Sequence, residues 1–179
     1  MIILDHRGRQ TGVLPAVPEL PSKDFQRSVV FFEGELFTLQ ANGLHVSRLS
    51  PSGMFTESIP DARGGITALG AANGELYAGD TKGDVFIRKG PGEWTPLDAP
   101  ILDESVESIL PLPDGLLVMY RFVAAQYRNH GGWCANMEVQ LGIPRAATRV
   151  GSGYLFVSVF STSGGFTTEA SFVELNLPL

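Results

Sequence analysis

A short pattern recurs along this chain at an interval of about forty residues. Gly34-Glu35-Leu36-Phe37 returns as Gly74-Glu75-Leu76-Tyr77. The same Gly-x-Leu-x signature reappears at Gly115-Leu116-Leu117-Val118 and at Gly153-Tyr154-Leu155-Phe156. A second marker runs in step, because Arg48, Arg88 and Arg128 share that spacing. A period of this length means that one small supersecondary unit is copied and stacked, each copy burying an apolar face that it cannot bury alone.

The unit is a run of strands. A helical period is nearly absent, and short alternating apolar runs are bounded by Gly, Pro, Asn and Asp. In the second copy, Ile66 to Leu69 is a first strand, and Asn73-Gly74 suits the positive φ values of a type I′ hairpin. Glu75 to Gly79, Asp84 to Arg88 and Glu93 to Leu97 follow, separated by Asp80-Thr81-Lys82-Gly83 and Lys89-Gly90-Pro91-Gly92. The first copy repeats this order from Val29 to Ile59, and the third from Val106 to beyond Trp133. Each copy therefore reads as a four-stranded antiparallel meander.

The fourth copy lacks an outermost strand. The stretch before the first copy, with Ile2 to Asp5 and Gly12-Val13-Leu14, reads as the second half of a repeat. Head and tail sharing one sheet would close a circle and protect strand edges. Radial repetition of four-stranded sheets is the propeller solution. The expectation is an all-β fold: a small β-propeller of four blades in one domain over 1–179, with the amino-terminal strands completing the last blade. An open arc that completes its ring with a second chain is the next reading, and a sandwich or barrel the third.

Gly83-Asp84-Val85-Phe86-Ile87-Arg88-Lys89-Gly90-Pro91-Gly92-Glu93-Trp94 resembles a blade of the Asp-box propellers, the broad group of sialidase-like and photosystem-assembly-factor-like repeats. That pattern places Ser-x-Asp-x-Gly-x-x-x-Trp between the third and fourth strands. The glycines and Trp94 match, whereas Lys89-Gly90-Pro91 stands where the Ser and Asp would be. The resemblance implies a propeller fold and a box that serves folding. It carries over no catalytic residue.

Composition narrows the function classes. The net charge is −6, and the 13 Lys and Arg residues form no basic run, which disfavours nucleic acid and anionic membrane surfaces as partners. Cys134 is alone, so neither an intrachain disulfide nor a Cys-rich zinc site is available. No apolar run reaches the roughly 20 residues of a membrane span, and no leader is apparent, so the cytoplasm is the expected address.

No phosphate loop, metal-ligand spacing or nucleophile elbow is present, so no catalytic residue, metal or cofactor is expected. His6, His45 and His130 fall in different copies, and Arg48, Arg88 and Arg128 are expected to pair across strands or to pack their stems on a turn. Trp94 and Trp133, at equivalent turn exits, are expected to wedge between neighbouring sheets. The loops that lead into each first strand carry Arg27, Asp61, Arg63, Asp103, Glu104 and Arg145. Loops on a rigid scaffold are where binding residues concentrate, so these six form the candidate partner-binding rim. A protein partner is the first expectation and a glycan the second. A glycosidase using Asp61 and Glu104 comes third.

Overall fold

The computed structural model describes residues 2–4, 7–13, 29–40, 43–98, 102–120, 123–128, 132–138 and 143–173. Every regular element among them is a strand. β1 (Ile2–Leu4) pairs with β2 (Gln10–Val13). The first full sheet holds β3 (Val29–Phe32), β4 (Glu35–Leu39), β5 (His45–Ser50) and β6 (Gly53–Ser58). The second holds β7 (Ile66–Ala72), β8 (Glu75–Asp80), β9 (Val85–Gly90) and β10 (Glu93–Leu97). The third holds β11 (Ser108–Leu112), β12 (Gly115–Met119), β13 (Val123–Arg128) and β14 (Gly132–Glu138). The fourth holds β15 (Ile143–Val150), β16 (Gly153–Thr162) and β17 (Gly165–Val173). All neighbours are antiparallel and in chain order, as the meander reading expects.

One expectation about the ends differs. β1 and β2 make a two-stranded sheet of their own, and neither joins β15–β17 among the described residues. Among the described residues, then, the amino-terminal strands do not pair with the last sheet. The physical reason lies in local pairing. β1 and β2 are five residues apart and satisfy each other through a short turn, whereas joining β17 would close a loop spanning nearly the whole chain.

The first hairpin of every copy has the same register. Phe32 opposes Glu35, Ala72 opposes Glu75, Leu112 opposes Gly115, and Val150 opposes Gly153. Asn73 and Gly74 have φ values of 53° and 77°, and Glu33 and Gly34 have 50° and 80°, the left-handed pair that a type I′ turn requires. This register makes Phe37, Tyr77, Leu117 and Leu155 equivalent positions. Because side chains alternate along a strand, the adjacent set Leu36, Leu76, Leu116 and Tyr154 points the opposite way.

The core consists of apolar layers between successive sheets. Phe37, Leu39 and Val46 of the first sheet pack on Leu69, Leu76, Ala78, Phe86 and Trp94 of the second. Ala68, Tyr77, Val85 and Ile87 of the second pack on Ile109, Leu116, Val118 and Tyr120 of the third. Between the third and fourth sheets, the Tyr154 hydroxyl donates to the Pro111 carbonyl. First strands make the inner line of contact, with β3 against β7, β7 against β11 and β11 against β15. No comparable packing joins β15 to β3 among the described residues.

The approach of β7 and β8 to the third sheet is close enough to require glycine. A Cβ on Gly70 would stand 2.7 Å from Ile109 Cβ, and one on Gly79 would stand 2.5 Å from Val106 Cβ.

Candidate functional site

The loops that lead into first strands and the turns between second and third strands lie at one end of the sheets, a consequence of simple up-and-down connection. Two such turns tie each sheet to the next by the same device. The Ile66 amide donates to the Gly43 carbonyl at 2.6 Å, and the Val106 amide donates to the Asp80 carbonyl at 3.0 Å. In both turns a positive-φ glycine, Gly43 or Gly83, bends the chain back.

In the second sheet the turn is built on Asp80, a fully buried carboxylate. Its Oδ1 accepts the amides of Lys82 at 2.8 Å and Asp84 at 2.9 Å, and its Oδ2 accepts the Gly64 amide at 3.0 Å. One side chain thus fixes the turn 81–84 and the loop that leads into β7. The Tyr120 hydroxyl donates to the Gly83 carbonyl at 3.3 Å from the third sheet. Burial, with the nearby Asp84 and Asp80 charges, raises this hydroxyl well above the ordinary tyrosine range, so it stays a donor.

On this base sits a strip of exposed charges. Arg63 grips Asp84 in a bidentate pair, with Nε at 2.6 Å from Oδ2 and Nη2 at 2.8 Å from Oδ1. The Asp84 carboxylate raises the Arg63 guanidinium above its ordinary value. Lys82 reaches Asp103 at 3.3 Å. Asp103 has a φ of 47°, which turns the chain toward β11.

Of the six expected rim residues, Arg63 and Asp103 are therefore brought to opposite sides of the turn 81–84. Asp61 is exposed in the same loop as Arg63, and Glu104 is half-buried beside Asp103, with an Oε2 that has no hydrogen bond. No hydrogen bond or ion pair among the described residues links Asp61 to Glu104. Arg27 lies outside the described residues. Arg145 lies at a bulge of β15, and its side chain is outside the described set. The sequence reading missed Asp80, Lys82 and Asp84, which it took as turn and strand positions. The available signal was an Asp at a strand end followed by charged residues and Gly83.

A second polar cluster lies between the outer strands of the first and second sheets. Arg88 makes a bidentate pair with buried Glu57 at 2.8 and 2.9 Å, Arg48 lies 3.5 Å from Glu57, and the Trp94 indole N–H donates to Glu57 at 3.1 Å. Arg48 also bonds Glu35 at 3.1 Å and stacks on Phe55. Burial works to raise the Glu57 carboxyl, but the Arg88 bonds and charge, with the Gly92 and Trp94 donors, hold it below its ordinary value. Arg48 and Arg88 thus pair as expected. Trp94 is buried in the layer between the two sheets, and Trp133 is partly buried against the second layer, 5.3 Å from Tyr127. His45 bonds Ser58 at 3.0 Å, while His6, His130 and the side chains of Arg128 and Cys134 lie outside the described residues. Among the described residues, no three His, Cys, Asp or Glu side chains converge as a metal-binding group. No helix is long and apolar enough to cross a membrane.

No protein-family model matches the chain, and no curated protein sequence matches it. Solved structures do. A catalytically inactive virginiamycin B lyase from Staphylococcus aureus, with quinupristin, superposes with a TM-score of 0.65 at 12% identity, over 98% of this chain and 62% of the lyase chain. The selenomethionine-substituted lyase of the same organism gives 0.64 at 12% identity and the same coverage. The computationally designed Ika4 protein gives 0.56 at 12% identity, over 88% of this chain and 99% of Ika4. The chain spans less than two thirds of the lyase. At these identities the likeness concerns the fold alone, and the fold is of the β-propeller kind.

Proposed function

We propose that this protein is a non-enzymatic β-propeller scaffold that binds a protein partner through the loop rim of Asp61, Arg63, Asp103 and Glu104, extended by Lys82 and Asp84. The observation that carries the reading is the Asp80 base. A fully buried carboxylate with three backbone amides holds an exposed strip of both charge signs at fixed spacing. Preorganised loops lower the ordering cost of association, and mixed charges favour register and partner choice. Arg27 and Arg145 complete the proposed set of partner-binding residues.

The alternative, a lectin-like module, drew on the two tryptophans. Trp94 is only 7% exposed and its N–H is taken by Glu57, so its ring face is not offered to a sugar. This favours the protein-binding reading. A degenerate Asp-box with a folding role is part of this reading, on the sequence match of the glycines and Trp94 around the turn between β9 and β10. The proposed setting is the cytoplasm.

The test is capture from a lysate of the source cells with wild-type protein, with the rim variant Arg63→Glu/Asp103→Lys, and with a control substituted in the hairpin turns at the opposite end, Glu33→Lys/Asp114→Lys. A specific protein retained by wild type and control but lost by the rim variant is the expected result. Equal retention by all three, or turnover of a small substrate abolished by the rim variant, overturns the reading.

A further inference from the structure

The outermost strands of the first three sheets are β6, β10 and β14, and a strand in that place presents a row of backbone groups able to pair with another chain. Two of the three are protected. The β9–β10 ladder shifts register between Glu93 and Trp94, and Pro96 removes an N–H from β10. The β13–β14 ladder shifts between Gln126 and Tyr127. Such bulges bend an edge away from a flat neighbour. β6 has neither device. Its 6 residues pair with β5 without a shift and include no proline and no lysine. Among the described residues, no strand pairs with its outer side.

The side chains of β6 suit a neighbouring strand. Met54 is 47% exposed and Phe55 42%, on opposite faces of the sheet, and Thr56 and Ser58 are exposed beside them. Glu57 is the one charge on the strand, and it is already buried and paired with Arg88 at 2.8 Å. An added strand therefore costs that carboxylate no further hydration and meets no free charge. The inner contacts run through first strands, so β6 lies on the outside of the stack, where another molecule reaches its edge.

We propose that β6 pairs antiparallel with β6 of a second copy about a two-fold axis, with Phe55 opposite Phe55 of the partner subunit. A two-fold antiparallel pair is the arrangement in which a strand complements itself, because it sets donors against acceptors whatever the sequence. In this register the two phenyl rings meet on one face, and Met54 opposes Thr56 of the partner subunit on the other. Glu57 opposes Gly53 of the partner subunit, so no like charges stand across the axis. The net charge of −6 on each copy opposes association, and an edge without free charge keeps that repulsion small at the contact. The two first sheets become one continuous sheet. A ladder of 6 residues buries less than the roughly 1,000 Å² of a stable interface, so the dimer is a weak one. It is independent of the rim and its partner.

The experiment is sedimentation velocity on the full chain from about 10 μM to about 0.5 mM, the range of weak association. Wild type is compared with Phe55→Lys, with Phe55→Glu, with an equal mixture of the two, and with Thr95→Lys, which puts the same charge on the protected edge of β10. Phe55 and Thr95 are exposed, so circular dichroism should show every variant folded. Wild type and Thr95→Lys should approach twice the 19.3 kDa chain mass as concentration rises. Each Phe55 variant alone should bind itself at least about 10-fold more weakly, through loss of the aromatic pair and repulsion across the axis. The mixture should recover the dimer, because opposite charges then face each other. A wild-type monomer throughout the range overturns the proposal. So does a dimer that survives Phe55→Lys, or one that Thr95→Lys weakens as much. A mixture that stays monomeric overturns the two-fold pairing at Phe55.

Discussion

Substitution of Gly79 by alanine tests the tightest inter-sheet approach. An added Cβ would lie 2.5 Å from Val106 Cβ and 2.9 Å from Val106 Cγ2, where ordinary carbon contacts lie at about 3.5–4.0 Å. The second and third sheets must then part locally by roughly 1 Å, against interiors that are close-packed. The separation also stretches the bond from Thr67 Oγ1 to the Val106 carbonyl, now 2.7 Å. Overpacking of this kind costs about 1–3 kcal/mol, and a weakened hydrogen bond adds about 0.5–1.5 kcal/mol. Alanine also restricts the unfolded chain, which returns about 0.4–1 kcal/mol. The net loss is about 1–3 kcal/mol, a fall in Tm of roughly 3–10 °C for a chain of this length. Gly64→Ala is the matched control. Its Cβ would meet the Thr81 hydroxyl, but Thr81 is exposed and free to turn, so the change should stay within about 0.5 kcal/mol. Calorimetry of the two variants decides the matter. A Gly79→Ala protein that melts within about 1 °C of wild type refutes the steric reasoning.

Three further outcomes are expected. The Glu57 carboxyl titrates below its ordinary 4.5, so its stabilising contribution is complete above that pH and fades as the pH falls through the folded-state value. Glu57→Gln should therefore remove part of the acid limb of a pH–stability curve, and at neutral pH cost about 3–5 kcal/mol by leaving buried Arg88 without its carboxylate. An unchanged acid limb would show that Glu57 is not a principal acid-sensitive group. Asp80→Ala should cost at least about 1.5–3 kcal/mol, the worth of one charged hydrogen bond, and should raise amide exchange at Gly64, Lys82 and Asp84. Normal protection at those amides would contradict the role given to Asp80. Arg63→Ala removes an exposed, solvent-screened pair and should leave the denaturant midpoint nearly unchanged, so a marked loss would mean the rim is part of the core.

Much of the architecture was legible because turns punctuate it. Asn73-Gly74 marks a hairpin whose positive φ values few other residue types adopt readily, Glu33-Gly34 repeats that turn geometry, and the strands between them follow from spacing alone. Trp94 was legible as a wedge because it is the large aromatic at a turn exit. Other features were hidden by how the sheets are covered. Val85, Phe86 and Ile87 are all buried, because β9 has a sheet on each side, and alternation fails to separate the two faces there. The partner of Arg88 is Glu57, 31 residues earlier and on another sheet, which no local pattern announces. Asp80 resembles any turn aspartate until the three amides around it are seen. The separate pairing of β1 with β2 depends on where two chain ends lie in space, which the spacing of repeats does not encode.

Among the described residues the main inner contacts run from each sheet to its successor, with β3 on β7, β7 on β11 and β11 on β15. Cohesion in such a layout accrues link by link, as in linear repeat arrays. Heat or denaturant should then fray the molecule from a terminus inward, and the second and third sheets, each gripped on both sides, should be the last to surrender their amide protons.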